Sequence, residues 1–386
     1  MGQIDMDRLG DSLKQRGLDG WLVYDFHDHN PIARRLLGDT GMLTRRVFIW
    51  LPAVGPARAL VHWLDRSAVG DFFGEFETYT TWQDLHQQLL EMVGGRRIAM
   101  EISPENAVPY LDLVPAGVVE LLRRLGATIV SSAPLVTEFA SRWSESESED
   151  HRRAAELIAE IARTTLQEVL GQVGTAGEVA VQQRVLERMA AVGLETEDAP
   201  IVAFGAHSSD PHFSPNPADD RTLAAGDVIL LDLWGRFSPN TVWADQTWMA
   251  YAGGTPPDSV VRVWEAVREA RDSVVERLRG AAKAGERING AALDNVARGV
   301  LDSHGFAEAF THRTGHSIDL SLHGSGPHLD DFETHDVREL LDGVAFSVEP
   351  GVYLTGQFGV RSEINVVMRA GGPEVTPAAP QTQLIV

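Results

Sequence analysis

The sequence contains no cysteine and only two lysines, Lys14 and Lys283, among its 386 residues. Without cysteine the chain can form no disulfide, no thiolate nucleophile and no sulfur ligand to a metal. The scarcity of lysine argues against Schiff-base chemistry. Catalysis must therefore draw on histidine, aspartate, glutamate, arginine, serine and tyrosine.

The sequence also lacks a long apolar run and an excess of basic residues. No segment reaches the roughly eighteen apolar residues of a membrane helix, and the first residues do not have the layout of a signal peptide. We therefore expect a cytoplasmic protein without a membrane partner. A formal net charge of -22 would repel nucleic acid, which requires a basic surface, so no nucleic-acid partner is expected.

Length and local composition predict two domains. A chain of 386 residues exceeds the usual size of one domain. Residues 1–145 alternate strand-like and helix-like segments, which predicts a small α/β domain. Residues 146–386 mix helices and strands without strict alternation, which predicts an α+β fold. The polar serine and glutamate run at 144–149 is read as unstructured and as the boundary; the alternative is a surface loop inside one domain.

Apolar and β-branched runs predict the individual elements. In the first domain we expect strands at 20–26, 45–52, 58–64 and 96–103 and helices at 82–94 and 104–125. In the second domain we expect helices at 149–171, 176–192, 257–283 and 288–304. Two strand pairs are expected there, 227–234 with 242–251 and 344–350 with 360–368.

Four carboxylates interrupt strands that otherwise look buried. Asp232 and Asp245 lie in neighbouring strands, and a hairpin turning near 238–240 would bring them together. Glu349 follows the apolar run of "GVAFSVEPG", and Glu363 lies in "GVRSEINVV". One such aspartate could simply face solvent. Four together would repel one another strongly in a low dielectric unless a cation neutralised them, which indicates a metal site.

The segment "HRTGHSIDLSLHGSGPHLDD", residues 312–331, adds four histidines to these acids. One imidazole with four carboxylates is a ligand set for hard to borderline divalent ions such as Mn²⁺, Co²⁺ or Zn²⁺. Two such ions can share bridging carboxylates in one hydrolytic centre.

The order of these residues resembles the pita-bread metallopeptidases, the family of methionine aminopeptidase, aminopeptidase P and Xaa-Pro dipeptidase (prolidase). The first domain is similar in size and α/β character to the creatinase-like domain of prolidases and aminopeptidase P. The resemblance implies a creatinase-like N-terminal domain, a pita-bread catalytic domain and two divalent ions, with Mn²⁺ as the first expectation and Co²⁺ or Zn²⁺ as alternatives. The metal ligands that it implies are Asp232, Asp245, His316, Glu349 and Glu363.

The resemblance also implies roles in catalysis. Glu349 would act as general base and then as general acid, and His323 would donate a hydrogen bond to the developing oxyanion. His212 would contact the residue on the leaving side. His312 would support the site or merely pack, and Arg361 would orient a carboxylate.

Further substrate contacts are open. His328 and His335 are interpreted as surface histidines, although His335 or Arg338 could reach a substrate carboxylate. The candidate substrate-binding residues are His312, Arg361, Arg46 and Arg338.

Three features depart from the family pattern. Two additional residues separate the two aspartates, and an even insertion leaves both carboxylates on one face. Ser317 and Asp319 replace glycines, so the loop is expected to differ or Asp319 to meet the ammonium group of the substrate. Gly324 replaces an acid that commonly follows the second histidine.

We expect hydrolysis of the bond before proline, most naturally in Xaa-Pro dipeptides, by a homodimer as the resemblance suggests. A dipeptidase needs a cation for the substrate carboxylate, and Arg45 or Arg46 could supply it, although both could equally be strand-edge charges. Aminopeptidase P activity on longer Xaa-Pro-Yaa peptides is the alternative.

Two other classes are considered. "GHSID" nearly matches the serine nucleophile elbow, but no buried strand precedes it and the last glycine is missing. A pita-bread peptide-binding module without metals is the other, and the presence of all five ligand types argues against it.

Overall fold

The computed structural model describes residues 4–38, 40–70 and 72–386. Two compact units divide the chain, one ending at Ser141 and the other comprising Arg142–Val386. We call them the N-terminal unit and the C-terminal unit. The assignment of residues 1–145 and 146–386 to two family domains stays a prediction. Among the described residues, no helix combines the length and the apolar character that a membrane span requires.

The N-terminal unit is built on a six-stranded sheet with the strand order β4-β3-β2-β1-β5-β6. Its strands are β1 (Gly20–Asp25), β2 (Val47–Pro52), β3 (Arg58–His62), β4 (Glu75–Tyr79), β5 (Arg97–Met100) and β6 (Thr128–Ser131). Its helices are α1 (Met6–Gln15), α2 (Pro31–Leu37), α3 (Trp82–Val93), α4 (Ala116–Arg124) and the single turn α5 (Ala133–Leu135). Apolar side chains from alternate strand positions form one buried core on each face of the sheet.

The four strands predicted for this unit are confirmed, as is the helix at 82–94. The helix predicted at 104–125 is wrong in its first half. Two short 3₁₀ turns, Pro104–Asn106 and Pro109–Leu111, precede helix α4. Each proline lacks a backbone N–H and obstructs the preceding turn, so the chain cannot continue as one helix.

The C-terminal unit combines long helices with three small antiparallel sheets, which confirms the predicted α+β class. Its helices are α6 (Glu145–Leu170), α7 (Glu178–Ala191), α8 (Asp258–Ala284) and α9 (Gly290–Ser303). One sheet has the order β7-β8-β9, with β7 (Ile201–Phe204), β8 (Val228–Gly235) and β9 (Ala244–Tyr251). The other strands are β10 (Ala345–Val348), β11 (Gly351–Leu354), β12 (Phe358–Arg361), β13 (Ile364–Arg369) and β14 (Gly372–Thr376).

The polar run at 144–149 is the start of helix α6, which corrects the prediction that it is unstructured. The Ser144 side chain accepts a hydrogen bond from the backbone N–H of Glu147, and the Glu147 carboxylate accepts one from the N–H of Ser144. This capping box satisfies two amide groups that the first turn otherwise leaves without partners.

The predicted pairing of 344–350 with 360–368 is right only in part. Strand β10 pairs with β13, whereas β11 turns back and pairs with β12. Pro350 cannot donate to a ladder, so the first strand ends before it. The second predicted strand is interrupted at Ser362 and Glu363. The interruption places Glu363 between two sheets instead of inside one.

Strand β8 separates two buried cores of the C-terminal unit. Leu230 belongs to one core, while Leu231 and Leu233 belong to the other. Side chains along a strand point alternately to the two faces. Asp232 therefore shares the face of Leu230, and the site described below forms on that face.

Candidate metal centre

Asp232 and Asp245 project from the same face of the β8–β9 hairpin. In the antiparallel register Asp232 faces Thr247 and Trp234 faces Asp245. Direct cross-strand partners share a face, as do residues two apart on one strand. The two additional residues in the turn therefore leave both carboxylates on one side, as the even spacing predicts. Both side chains are buried.

His316 and Glu363 join Asp245 in one cluster. One ligand atom from each of the three lies within 4.8 Å of the other two. His316 Nε2 is 3.3 Å from Asp245 Oδ2 and 3.5 Å from Glu349 Oε1. The His316 backbone is fixed against Ser347, whose side chain accepts its N–H at 2.9 Å. A Cβ on Gly315 would lie 2.0 Å from the Ser347 carbonyl oxygen, so only glycine permits this close approach.

Three carboxylate oxygens of the cluster are buried without a hydrogen-bond partner: Asp232 Oδ1, Asp245 Oδ1 and Glu363 Oε1. Buried acceptors of this kind are costly unless a cation or a donor meets them. Burial raises the pKa of Asp232 to about 7, although Arg361 favours its ionised form. Burial and the neighbouring carboxylates raise the pKa values of Asp245 and Glu363 as well. The residues present therefore fit divalent cations, which would neutralise this excess of acids.

Arg361 connects Asp232 to its surroundings. Its guanidinium forms an ion pair with Asp232 and donates to Thr247 Oγ1 at 2.9 Å and to Tyr353 Oη at 3.2 Å. Tyr353 in turn shares a 2.8 Å hydrogen bond with His312 Nε2. Burial lowers the pKa of His312 to about 4, so its ring is neutral. Arg361 thus orients a carboxylate, and His312 contacts this chain of hydrogen bonds from its far end.

Glu349 differs from the other acids of the centre. Its side chain is 15% exposed, and its Oε1 accepts a hydrogen bond from Ser347 Oγ at 2.9 Å. Burial would raise the pKa of its carboxyl, but His316, His312 and Arg361 outweigh that effect and lower it. Glu349 is therefore ionised, and solvent can reach it.

The two remaining catalytic candidates lie on loops of the same unit. The ring of His323 packs edge-on against the ring of His316, with centroids 4.4 Å apart. Desolvation of the His323 ring and the nearby His316 lower its pKa, so it is neutral. His212 is exposed, and the carbonyl of the preceding Pro211 accepts a hydrogen bond from Arg361 at 3.2 Å.

Two further residues, His328 and Arg338, hold the loop backbone on either side of His323. His328 is fully buried, not on the surface, and its Nδ1 accepts the N–H of Ser317 at 3.1 Å. Arg338 pairs with the buried Asp336 and donates to the carbonyls of Ser325 and Gly326 at 2.6 Å each. These bonds engage its guanidinium, and its contact with a substrate carboxylate stays a prediction. His335 is exposed as predicted and pairs with Asp331.

Asp319 and Gly324 depart from the family pattern together, and the structure connects them. The Asp319 carboxylate accepts the backbone N–H groups of Ser321 at 2.7 Å and Ser325 at 2.9 Å. A Cβ on Gly324 would lie 2.7 Å from that carboxylate. Asp319 therefore stabilises the loop, and this arrangement requires glycine at 324. The suggested contact of Asp319 with a substrate ammonium group stays a prediction.

Arg45 and Arg46 belong to the N-terminal unit. Arg45 lies 3.8 Å from Asp65, and the Arg46 carbonyl accepts a hydrogen bond from Tyr79 Oη at 2.9 Å. Both precede strand β2 directly.

Sequence reasoning missed Thr247, Ser347 and Tyr353, which hold the acids in place. Thr247 stands two residues after Asp245, and the period of two could have placed it on the same face. Ser347 stands two residues before Glu349, so the same period of two could have placed both side chains on one face. No local pattern identified Tyr353, because its partners Arg361 and His312 come together only through the tertiary fold.

Comparison with known proteins agrees with this geometry. The model of the family described as Metallopeptidase family M24 matches residues 149–370. The probable dipeptidase PepE of Mycobacterium tuberculosis is 28% identical over 335 residues, which cover 87% of this chain and 83% of that protein. The Xaa-Pro dipeptidase of Lactobacillus helveticus is 32% identical over 188 residues, 49% of this chain and 46% of the relative.

A solved structure agrees over the whole chain. The crystal structure of dipeptidase PepE from Mycobacterium ulcerans superposes with a TM-score of 0.80 at 25% identity and covers 100% of both chains. The predicted pita-bread fold is thereby confirmed.

Proposed function

The chain belongs to metallopeptidase family M24, and we propose that it is an Xaa-Pro dipeptidase, which hydrolyses the bond before the proline of a dipeptide. The observation that carries the proposal is the cluster of buried acids around His316, with three carboxylate oxygens that lack a partner. The names of the relatives support the choice of a dipeptide, because the relatives described above are dipeptidases.

Five side chains would hold two divalent ions: Asp232, Asp245, His316, Glu349 and Glu363. When bound, such ions lower the pKa of a water molecule and polarise the carbonyl of the scissile bond. Arg361 and Thr247 keep Asp232 and Glu363 in position, since Arg361 contacts both Asp232 and Thr247 and Thr247 donates to Glu363 at 2.9 Å.

Glu349 would transfer the proton. Its lowered pKa keeps the carboxylate ionised, so it can accept a proton from the attacking water. The same group then passes the proton to the leaving nitrogen. Partial exposure lets water approach it, which the enclosed Glu363 does not allow.

His323 and His212 would act on the substrate. A neutral His323 can donate an N–H to the oxygen that becomes negative as the carbonyl is attacked. His212, on the exposed loop after Pro211, would contact the leaving residue. The nitrogen of the scissile bond carries no hydrogen when that residue is proline, so a site that packs the ring and needs no donor there selects it.

The substrate carboxylate needs a cation, and Arg46 is the proposed one. This part of the proposal rests on the sequence alone, which places the adjacent Arg45 and Arg46 directly before strand β2. Replacement of Arg46 by alanine should raise KM for an Xaa-Pro dipeptide several-fold with little change in kcat; an unchanged KM would remove Arg46 from the site.

The test is hydrolysis of Ala-Pro compared with Ala-Pro-Ala by protein that has been stripped with a chelator and then given Mn²⁺. We expect cleavage of the dipeptide only after metal is restored and a much lower rate on the tripeptide. A preference for the tripeptide would indicate aminopeptidase P activity instead. Peptide binding without cleavage, at any metal concentration, would indicate a binding module.

Three finer expectations belong to the same proposal: Mn²⁺ as the working ion with Co²⁺ or Zn²⁺ as alternatives, a homodimer, and a cytoplasmic location. Activity after reconstitution with each ion tests the first. The mass in solution by light scattering tests the second, and cell fractionation tests the third.

A further inference from the structure

Arg271 places a charged side chain on the buried face of helix α8. It lies four residues after Val267 and three before Val274, and both of these valines are completely buried. Residues three and four apart share one face of a helix. The Arg271 side chain is itself only 1% exposed. An apolar residue would occupy this position at a lower desolvation cost, so the reason for an arginine must lie in its contacts.

The guanidinium of Arg271 connects helix α8 to two other segments of the C-terminal unit. Its Nη1 donates to Ser362 Oγ at 2.7 Å and to the Gln381 carbonyl at 2.9 Å. Its Nε and Nη2 donate to Asp272 Oδ1 at 2.9 Å and 2.6 Å, which fixes the group on its own helix. The rigid fork of a guanidinium holds several acceptors in one fixed arrangement, which an apolar side chain cannot do.

Ser362 stands at the break between strands β12 and β13, directly before the proposed metal ligand Glu363. The backbone N–H groups of these two residues meet the carbonyls of Pro350 and Thr247 at 3.4 Å each, which is longer than a usual backbone hydrogen bond. The hydrogen bond from Arg271 to the Ser362 hydroxyl is much shorter, at 2.7 Å. Arg271 therefore holds the chain firmly at a point where its contacts with neighbouring strands are weak.

Arg361 and Glu363 share one side of this chain segment, and Ser362 faces the other. The Thr247 hydroxyl contacts both flanking residues, since it accepts from Arg361 Nε at 2.9 Å and donates to Glu363 Oε2 at 2.9 Å. The Ser362 hydroxyl meets Arg271 instead, as the alternation of side chains along an extended chain requires. A rotation of the backbone at Ser362 would turn both flanking side chains, so the bond from Arg271 fixes the direction of both.

The second acceptor of Arg271 leads to strand β9, which carries Asp245. The Gln381 side chain accepts the N–H of Met249 at 2.9 Å and donates to the Met249 carbonyl at 2.6 Å. A side-chain amide has one acceptor and two donors, so it pairs with strand β9 as a neighbouring backbone would. Because Arg271 bonds the Gln381 carbonyl, one guanidinium ties strand β9 to the break between β12 and β13. These two segments carry Asp245 and Glu363.

We propose that Arg271 is a positioning residue of the metal centre, which holds Glu363 against Asp245 so that both carboxylates can bind one ion. Ligand atoms of these two residues and of His316 lie within 4.8 Å of one another. Arg271 supplies no ligand atom and acts through Ser362 and Gln381. This inference rests on the proposed function and adds a residue on which its metal affinity depends.

The test is the Kd for Mn²⁺, measured by calorimetric titration of the metal-free protein. Arg271→Met keeps most of the length of the side chain and removes all of its donors, so it should raise the Kd by about tenfold or more, a loss typical of residues that support metal ligands. Ser362→Ala removes only the acceptor hydroxyl and should raise the Kd in the same direction. The double variant should bind Mn²⁺ no more weakly than Arg271→Met, because both substitutions break the same hydrogen bond.

Arg262→Met is the matched control. Arg262 lies on the same helix but is exposed and donates to the His304 carbonyl at 2.8 Å, so its replacement should leave the Kd unchanged. A thermal melt of each metal-free variant accompanies the titration. A role in stability alone would lower the melting temperature of Arg271→Met and leave its Kd at the wild-type value. If Arg271→Met does not fold, the Kd of Ser362→Ala decides.

A failure of this inference is distinguishable from a failure of the proposed function. If the wild type binds Mn²⁺ and cleaves dipeptides while Arg271→Met and Ser362→Ala bind Mn²⁺ equally tightly, the inference is overturned and the function stands. Additive losses in the double variant would also overturn it, since Arg271 would then not act through Ser362. If the wild type binds Mn²⁺ but cleaves no dipeptide, the proposed function fails and the Kd values still decide the role of Arg271. Wild-type protein that binds no Mn²⁺ would overturn both.

Discussion

Glu349 and Glu363 show how two residues of one type acquire different proton affinities within one centre. Glu363 is enclosed, and burial and the neighbouring Asp245 raise its pKa well above the usual value. Glu349 is partly exposed, and nearby histidines and Arg361 lower its pKa. Such a separation assigns roles within a pair of carboxyl groups. Glu363 suits the retention of a cation, and Glu349 suits the transfer of a proton.

Replacement of Glu349 by glutamine tests the proton-transfer role. Glutamine keeps the size and the Ser347 hydrogen bond but cannot accept a proton, so kcat should fall by about 10²-fold or more with the fold intact. Dipeptide kinetics and circular dichroism measure the two outcomes. Glu308→Gln, at an exposed position of the same unit, is the control. A kcat near that of the wild type would exclude Glu349 as the base.

At the residue scale, sequence reasoning succeeded where a spacing rule applies. An even number of residues in a hairpin keeps Asp232 and Asp245 on one face, whatever the rest of the chain does. It failed for His328, which is fully buried and accepts a backbone N–H of an irregular loop. No periodic pattern describes the path of such a loop, so the burial of this side chain could not be inferred.

The loop from His316 to Ser325 is the element that positions both His316 and His323. It carries His316 and His323, with Leu320 and Leu322 between them, and the Asp319 carboxylate accepts hydrogen bonds from the loop's own backbone. The indoles of Trp143 and Trp243 fix its carbonyls from outside. These hydrogen bonds therefore fix the backbone of the loop although it forms no helix or strand.

Replacement of Asp319 by asparagine tests whether these hydrogen bonds hold the loop in its active conformation. An amide side chain has one oxygen to accept the N–H groups of Ser321 and Ser325, so one of these hydrogen bonds is lost. We expect kcat/KM to fall by about tenfold because His323 is held less firmly, a loss typical of supporting residues. Metal content by mass spectrometry should stay at the wild-type level. Loss of the metal together with the activity would instead make Asp319 part of the metal site.

Two of the wrong secondary-structure predictions have local causes. Ser144 and Glu147 form a capping box that satisfies backbone N–H groups at the start of helix α6. Its polar composition alone resembles that of a linker. Pro104 and Pro109 divide the helix predicted at 104–125 into short turns. Both signals were present in the sequence. The division of 360–368 at Glu363 carried no such signal, because it depends on packing between two sheets.

At the scale of the whole molecule, the N-terminal unit contains a buried acid of its own. Glu101 has no exposed surface and accepts hydrogen bonds from Trp21 Nε1 at 2.6 Å, Ser132 Oγ at 3.0 Å and Asn30 Nδ2 at 3.2 Å. Burial raises its pKa from 4.5 to about 7 in spite of these bonds. A folded state with the higher pKa holds its proton more tightly than the unfolded chain does.

This pKa predicts how stability depends on pH. The contribution of Glu101 to the free energy of unfolding is fully present below pH 4.5 and is lost as the pH rises through about 7. The loss is on the order of 3 kcal/mol, since each pKa unit corresponds to about 1.4 kcal/mol. Glu101→Gln should remove this part of the pH dependence, which urea unfolding at pH 5 and pH 8 would measure. If the unfolding free energy of Glu101→Gln differed between pH 5 and pH 8 as much as that of the wild type does, Glu101 would not be the responsible group.

The central claim is that five side chains of the C-terminal unit hold two divalent ions. The most direct test is calorimetric titration of Mn²⁺ into protein stripped by a chelator, with the bound metal counted by mass spectrometry. The account predicts two ions per chain in the wild type, and fewer in Asp245→Asn, because Asp245 lies in the cluster with His316 and Glu363. Wild-type protein that binds no more Mn²⁺ than the Asp245→Asn variant would contradict it.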